Sequence, residues 1–206
     1  MTTATTEFNT QTAATPPAEI LPHKAGRRLW FPMFLMALMG FGIGIVLAGF
    51  RADAVNSGNV QDTAALGQFV PAFMFIGFAA VFAAIAFAIA RILGAFRAGG
   101  SGMQHATGNE VKTLTMPPTG RAFIGLMAMG MMLIVGAVVL HLIVGTLIAT
   151  GSDSALSNSE QWSIWLEVAR RFGVSTYLLS IALGLATIIT VVRFQSVRIK
   201  EIVASR

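Results

Sequence analysis

The chain contains no cysteine and carries few charged residues for its length. The absence of cysteine excludes disulfide bonds, thiolate metal sites and a cysteine nucleophile. Charged residues make up 11% of the 206 residues and hydrophobic residues 55%, whereas a soluble domain carries about 25% charged residues. This imbalance predicts an integral membrane protein.

The formal net charge is +5, but the positions of the charges do not favour nucleic-acid binding. The basic residues lie at the ends of apolar segments rather than on a polar surface studded with aromatic side chains,. Of the 14 Lys and Arg residues, 11 lie in or beside the N-terminal tail, the central loop and the C-terminal tail. Because basic residues prefer the cytoplasmic side, we predict a plasma-membrane protein with both termini in the cytoplasm.

Four long apolar segments separated by polar stretches predict an all-α integral membrane fold,. In this fold four transmembrane helices form two hairpins, and a short interfacial helix precedes the fourth span. The predicted parts are a disordered cytoplasmic tail over residues 1–28, a first hairpin over 29–96, a cytoplasmic linker over 97–121, a second hairpin over 122–193 and a basic cytoplasmic tail over 194–206.

Polar and small residues set these predicted boundaries. Residues 1–22 are rich in Thr, Ala and Pro, a composition typical of disordered tails,. Residues 51–67 are polar, so we expect a loop between the first two spans. The linker opens with Gly-Gly-Ser-Gly at residues 99–102, which is typical of flexible connections,.

The most apolar stretch, residues 122–149, contains no Asp, Glu, Lys or Arg. A helix of this length reaches about 40 Å, enough to cross a hydrocarbon core about 30 Å thick. Its only ionisable group is His141. That histidine is therefore the candidate for chemistry inside the membrane.

Three tryptophans are expected at the level of the lipid headgroups, where their amphipathic rings are most stable. Trp30 stands at the start of the first span. Trp162 and Trp165 fall on one face of the short helix predicted before the fourth span, which we place from Phe172. We predict all three as interfacial anchors.

Small residues recur along the first, third and fourth spans, in a pattern that lets membrane helices approach closely. They are Gly40, Gly44 and Ala48 in the first span, Ala137 and Gly145 in the third and Gly184 in the fourth. We predict that these residues face neighbouring helices.

His141 shares the small-residue face of its span, so it should point at another helix rather than at lipid. The fourth span offers a polar face made of Thr176, Tyr177 and Ser180. With an outer start at Phe172, an antiparallel neighbour would bring Ser180 to a similar depth, about 12 Å below the outer boundary. We therefore predict a neutral His141 that is hydrogen-bonded across helices.

A cofactor role for His141 remains an alternative. Histidine is an axial ligand of b-type haem, but the second ligand would have to be a methionine or come from another subunit. A proton relay is disfavoured because no Asp or Glu lies within a span,. We predict no cofactor and no metal, and keep haem b at His141 as the alternative.

These observations predict a non-enzymatic protein, because the sequence contains no catalytic constellation and no charged permeation path,. The favoured role is an accessory or scaffold subunit of a larger membrane complex. Its partners would be the lipid bilayer and other membrane subunits, or a second copy of itself. The alternatives are a cytochrome b-like electron-transfer subunit that uses His141, and a carrier of a small solute or ion.

The predicted topology is testable by cysteine labelling. Cysteines introduced at Ser57 and Ser154 should react with a membrane-impermeant thiol reagent added outside the cell, because both loops are expected there. A cysteine at Ser101, in the predicted cytoplasmic linker, should stay unlabelled until the membrane is permeabilised. Labelling of Ser101 in intact cells would contradict the topology.

Overall fold

A computed structural model describes residues 8–13 and 21–204 of the chain. The elements, in chain order, are β1 (Thr10–Ala13), α1 (Leu21–Asn56), α2 (Val60–Ala106), β2 (Val111–Leu114), α3 (Pro118–Ala149), α4 (Asp153–Ser157) and α5 (Ser159–Ala204). Four helices, α1, α2, α3 and α5, are long and apolar enough to cross a membrane. The predicted fold of four transmembrane helices is confirmed, and the chain is a membrane protein.

Two of the helices are much longer than a bilayer requires. Helix α2 has 47 residues and α5 has 46, so each reaches about 70 Å. A hydrocarbon core is about 30 Å thick. Roughly half of each helix therefore extends beyond the hydrocarbon, where it can contact other parts of the chain.

The α1–α2 turn is much shorter than the loop predicted over residues 51–67. Helix α1 continues to Asn56 and α2 begins at Val60, because polar residues do not by themselves end a helix. Gly58 ends α1 with a φ of +71°, and Asn59 Oδ1 accepts a hydrogen bond from Asp62 N at the start of α2. A left-handed glycine and an asparagine cap therefore place this turn.

The segment predicted as a flexible linker is largely ordered. Residues 97–106 continue α2, and β2 follows after a short turn. Gly100 packs against the Gln195 side chain of α5, because a Cβ atom there would overlap the Gln195 amide. Gly100 and the buried Ser101 are thus packed on a helix, whereas Gly99 and Gly102 are exposed, and the run is helical despite its low helix propensity,.

Part of the N-terminal segment predicted as disordered, residues 1–28, forms regular secondary structure. Strand β1 pairs antiparallel with β2, with Thr10 opposite Leu114, and the Phe8 ring meets the Phe194 ring edge-on at 5.6 Å. Helix α1 already begins at Leu21. The parts of the predicted tail at residues 1–7 and 14–20 lie outside the described residues.

The tryptophan-bearing segment before the fourth span forms the first turns of α5 rather than a separate helix. No proline follows Pro118 in the sequence, so nothing forces a break near Phe172,. A separate five-residue helix, α4, does precede α5, and Ser152 caps it by accepting a hydrogen bond from Ala155 N. Trp162 and Trp165 are exposed, and Trp30 is half-buried.

The chain divides into two compact units. Unit 1 contains residues 1–30, 85–125 and 179–206, and unit 2 contains residues 31–84 and 126–178. Within unit 1, α5 contacts the end of α2 through a buried polar cluster. The Arg198 guanidinium donates to Gln104 Oε1 at 3.1 and 3.3 Å and to the Glu110 carbonyl at 3.2 Å.

Close backbone contacts at glycines hold unit 2 together. A Cβ atom at Gly40 of α1 would lie 2.8 Å from the Gly77 nitrogen of α2. A Cβ atom at Gly130 of α3 would lie 3.1 Å from the Gly173 carbonyl oxygen of α5. Without a hydrophobic drive between helices in lipid, such close approach supplies the van der Waals contact that joins them.

The predicted packing stripe of α1 is wrong at Ala48. Gly40 and Gly44 are buried against α2, where a Cβ atom at Gly44 would meet the Met74 sulfur at 2.8 Å, but Ala48 is exposed. Each step of four residues rotates about 40° around a helix, so two steps carry Ala48 off the contact face. Leu47 is half-buried and Ala54 buried, consistent with a face that follows alternating steps of three and four.

Ser101 is a poor position for the labelling test of topology. Its side chain is 1% exposed, and its hydroxyl donates to the Arg97 and Ala98 carbonyls at 2.7 and 3.1 Å. A cysteine there would be unreactive from either side. Ala106, exposed at the end of α2, is the informative position, while Ser57 and Ser154 are exposed as the test requires.

The glycine contacts predict different effects on stability for substitutions at Gly40 and Gly42. Gly40→Leu should destabilise the purified protein by about 1 to 3 kcal/mol, because the new side chain overlaps α2,. Gly42→Leu is the matched control, since no atom in the part of the chain that the structure describes lies within 4 Å of its Cβ position. Unfolding of both variants in detergent checks this expectation, and equal loss of stability would contradict the observed α1–α2 contact.

Candidate functional site

His141 lies on α3 in unit 2, and its side chain is 1% exposed. Ala137, four residues before it, is buried. Gly145, four residues after it, packs against the Phe69 ring of α2, and a Cβ atom at Gly145 would lie 2.8 Å from Phe69 Cε1. The predicted small-residue face therefore does point at a neighbouring helix. His141 sits in the middle of that face.

His141 belongs to a buried chain of hydrogen bonds that joins three helices. Its Nδ1 lies 2.6 Å from Gln68 Oε1 on α2. Gln68 Nε2 donates to Ser163 Oγ on α5 at 2.8 Å and to the Ser159 carbonyl at 3.3 Å. We call His141, Gln68 and Ser163 the polar triad.

The triad assigns the proton on the histidine ring. The Ser159 carbonyl can only accept, so the Gln68 amide must turn its NH₂ group towards Ser159 and its oxygen towards His141,. Nδ1 of His141 is then the donor. In the neutral ring Nε2 carries the lone pair, and it is buried without a hydrogen-bond partner among the described residues.

The partner of His141 differs from the prediction because α5 begins earlier than expected. The Gly130–Gly173 contact fixes the level of α3 against α5. His141 lies 11 residues after Gly130, and 11 residues before Gly173 is Trp162. Ser163, not Ser180, therefore shares the depth of His141.

The three predicted partners have other surroundings. Thr176 Oγ1 donates to the Phe172 carbonyl of its own helix at 2.9 Å. The Tyr177 ring stacks on Phe82 at 4.9 Å. The hydroxyls of Tyr177 and Ser180 are buried and have no hydrogen-bond partner in the part of the chain that the structure describes.

A buried cation lies two turns further along α5. Arg170 is 6% exposed, its guanidinium stands 4.5 Å from the centre of the Phe75 ring, and it forms an ion pair with Glu167. Arg171, which is exposed, also pairs with Glu167 at 2.6 Å. Ser163, Glu167 and Arg170 follow the spacing of one helix face, so α5 carries a polar stripe through unit 2,.

An open cavity of about 400 Å³ adjoins the triad in unit 2. Its polar lining comes from Arg51 of α1, Gln68 and Thr63 of α2, and Glu160 and Ser163 of α5. Gln68 and Ser163 thus line the cavity and belong to the triad, so His141 is linked to the cavity by one side chain. We call this space the polar cavity.

The described residues contain no group of three or more His, Asp or Glu side chains that could hold a metal ion. His141 Nε2 is the atom that a haem iron would bind, and a ligating histidine characteristically donates its other ring N–H to an acceptor, as His141 donates to Gln68,. The absence of a cofactor stays the prediction, and haem b ligation by His141 stays its alternative.

Comparison with protein-family models, with curated proteins and with solved structures finds no match to this chain.

Gln68, Ser163, Glu167 and Arg170 are site residues that the sequence analysis did not identify. Gln68 lies directly after the loop predicted over residues 51–67 and three residues before Pro71, and the sequence analysis gave it no role. The available signal was the polar residue itself, since an uncharged amide near a span end commonly bonds a facing helix. Arg170 lies within α5 because that helix starts at Ser159.

The triad predicts a specific double-mutant result. His141→Leu should destabilise the protein by about 1 to 3 kcal/mol, because it leaves Gln68 Oε1 buried without its donor,. Adding Gln68→Leu should recover part of this loss, since removing both partners removes the unsatisfied group. Unfolding free energies in detergent measure the coupling, and strictly additive losses would contradict the hydrogen bond.

His141→Gln separates the structural role from haem ligation. Glutamine keeps one donor for Gln68, so the free energy of unfolding should change little. A haem-ligating His141 would instead give the purified protein a Soret band that both His141→Gln and His141→Leu abolish.

Proposed function

We propose that this protein is a non-enzymatic subunit of a larger membrane complex, with both termini in the cytoplasm. In this proposal the outward face of α1 docks against a transmembrane helix of a different subunit. The observation that carries the proposal is a pair of glycines, Gly42 and Gly49, that face away from the rest of the protein.

Helix α1 is the least covered of the four spans. Only 17% of its most apolar stretch is buried inside the protein, against 50% for α2. Its contact with α2 in unit 2 uses the glycines on one side, Gly40 and Gly44. The opposite side is left for lipid or for another protein.

That opposite side has the features of a helix-docking surface. Met39, Gly42, Ile43, Val46 and Gly49 follow the spacing of one helix face, and we call them the α1 docking face,. No atom of the described residues lies within 4 Å of the Cβ position of Gly42 or Gly49. Met39, Ile43 and Val46 are exposed beside them.

The docking face is concave. An open cavity of about 390 Å³ is lined by Met39, Gly42, Ile43, Val46 and Leu47. Glycine costs a helix about 1 kcal/mol relative to alanine, and fluid lipid tails fit a leucine surface equally well. Small residues in a membrane helix stabilise helix association where another backbone comes close and makes van der Waals contact. These properties favour a helix as the occupant.

A second candidate function, binding of a small polar solute, is supported by the polar cavity. Arg51 and Glu160 bring opposite charges to its lining, and Gln68, Thr63 and Ser163 add hydrogen-bonding groups. A small zwitterion would fit this combination of groups. Solute-dependent thermal stabilisation that Arg51→Gln abolishes would support this function, and flux into reconstituted vesicles would test whether binding leads to transport.

The docking proposal is tested with a photo-crosslinking residue at Val46 in native membranes. Val46 should form an adduct with one polypeptide other than this chain, because it lines the docking cavity. The same residue at Ala48 is the matched control, since Ala48 is exposed on a different side of α1. Gly42→Leu should reduce the mass of the complex in mild detergent and leave the stability of the isolated protein unchanged.

Two results would contradict the proposal. Adducts with lipid alone, equal from Val46 and Ala48, would show that the face is covered by lipid. An adduct between two copies of this chain would replace the accessory role with a homo-oligomer.

A further inference from the structure

Unit 1 contains a small, half-open space with a basic lining. This space has a volume of about 110 Å³ and is lined by residues of α1, α2, β2, the segment that follows β2, and α5. Arg97 and Lys112 supply positive charge, and Thr113, Thr115 and Thr187 supply hydroxyl groups. We call it the basic cavity.

No acidic side chain of the described residues balances the charges in the basic cavity. None of the acidic side chains in residues 8–13 and 21–204 lines it. Arg97 Nε is buried and has no hydrogen-bond partner within those residues. A buried donor without a partner is costly, and such groups in native proteins are usually met by a water, an ion or a ligand.

The backbone of Lys112 is fixed by hydrogen bonds to the Gln104 side chain. Its backbone N donates to Gln104 Oε1 at 2.8 Å, and its carbonyl accepts from Gln104 Nε2 at 3.1 Å. Gln104 is in turn fixed by the Arg198 guanidinium, and it is 1% exposed. The strand that carries Lys112 is therefore rigid, while the Lys112 side chain itself forms no ion pair among the described residues.

We propose that the basic cavity binds a phosphate-bearing anion. A guanidinium and an ammonium group surrounded by hydroxyls match an acceptor with several charged oxygens. The cavity volume of about 110 Å³ leaves room for a phosphate group,. The shared chemistry is a phosphate, which either a phospholipid headgroup or free inorganic phosphate provides.

A neighbouring groove favours the lipid as the source. The apolar side chains of Ile92, Phe96, Met103 and Ile199 line a groove of about 370 Å³ that shares Gln195 with the basic cavity. An acyl chain fits such a surface. Basic pockets between membrane helices on the cytoplasmic side bind anionic headgroups, and the positive-inside rule predicts that side for unit 1.

The test uses the purified full chain with two probes. One probe is inorganic phosphate added at constant ionic strength, read as a shift in thermal unfolding. The other is bilayer discs of phosphatidylcholine with or without phosphatidylglycerol, followed by native mass spectrometry of the lipid retained. Arg97→Gln and Lys112→Gln are the test variants, and Lys200→Gln is the matched control because Lys200 is exposed on α5 outside the cavity.

We expect both test variants to weaken binding about tenfold or more, because each removes a charge-assisted hydrogen bond, while Lys200→Gln leaves it unchanged. Retained phosphatidylglycerol with no effect of phosphate identifies a headgroup site. Stabilisation by phosphate without lipid preference identifies a free-anion site. If Arg97→Gln does not fold, Lys112→Gln decides, since the Lys112 side chain makes no hydrogen bond among the described residues.

The proposal is overturned if neither probe distinguishes the wild-type protein from Lys112→Gln. It is equally overturned if Lys200→Gln loses as much binding as the test variants, because the attraction would then come from the general basic charge of unit 1.

Discussion

Membrane helices must find their mutual attraction without a hydrophobic effect, and this constraint governs the packing of the chain. Gly40 against Gly77, and Gly130 against Gly173, bring backbones close enough for extensive van der Waals contact. These contacts also set the level of one helix against the next. The position of Ser163 beside His141 and Gln68 follows from the Gly130–Gly173 contact, so packing determines which polar groups can meet.

In each unit a buried glutamine side chain joins polar groups of different elements. Gln68 joins His141 of α3 to Ser163 of α5 in unit 2, and Gln104 joins β2 to Arg198 of α5 in unit 1. An amide can donate and accept at once, so it bridges two helices without adding a charge to the membrane. The interior also contains two charged side chains, Arg170 and Arg198, and each is paired with a glutamate of its own helix.

Composition predicts the four spans, since 28 uncharged residues such as 122–149 have few alternatives to a membrane helix. It does not predict where helices end. Residues 51–56 and 97–106 look like loops, yet helix caps and contacts such as Gly100 with Gln195 keep them helical. The choice of His141 as a buried polar residue could be made from its small neighbours, but its partner could not, because depth depends on the true start of α5 at Ser159.

The most direct test of the docking role is the oxygen accessibility of a spin label on the α1 docking face, measured before and after extraction. At Val46 the label should be shielded from oxygen in native membranes and become accessible when the purified protein is placed in lipid alone, because the partner helix is lost. A label at Ala48 should be accessible in both settings, since it lies on a different side of α1. High and equal accessibility at Val46 in both settings would contradict the docking role.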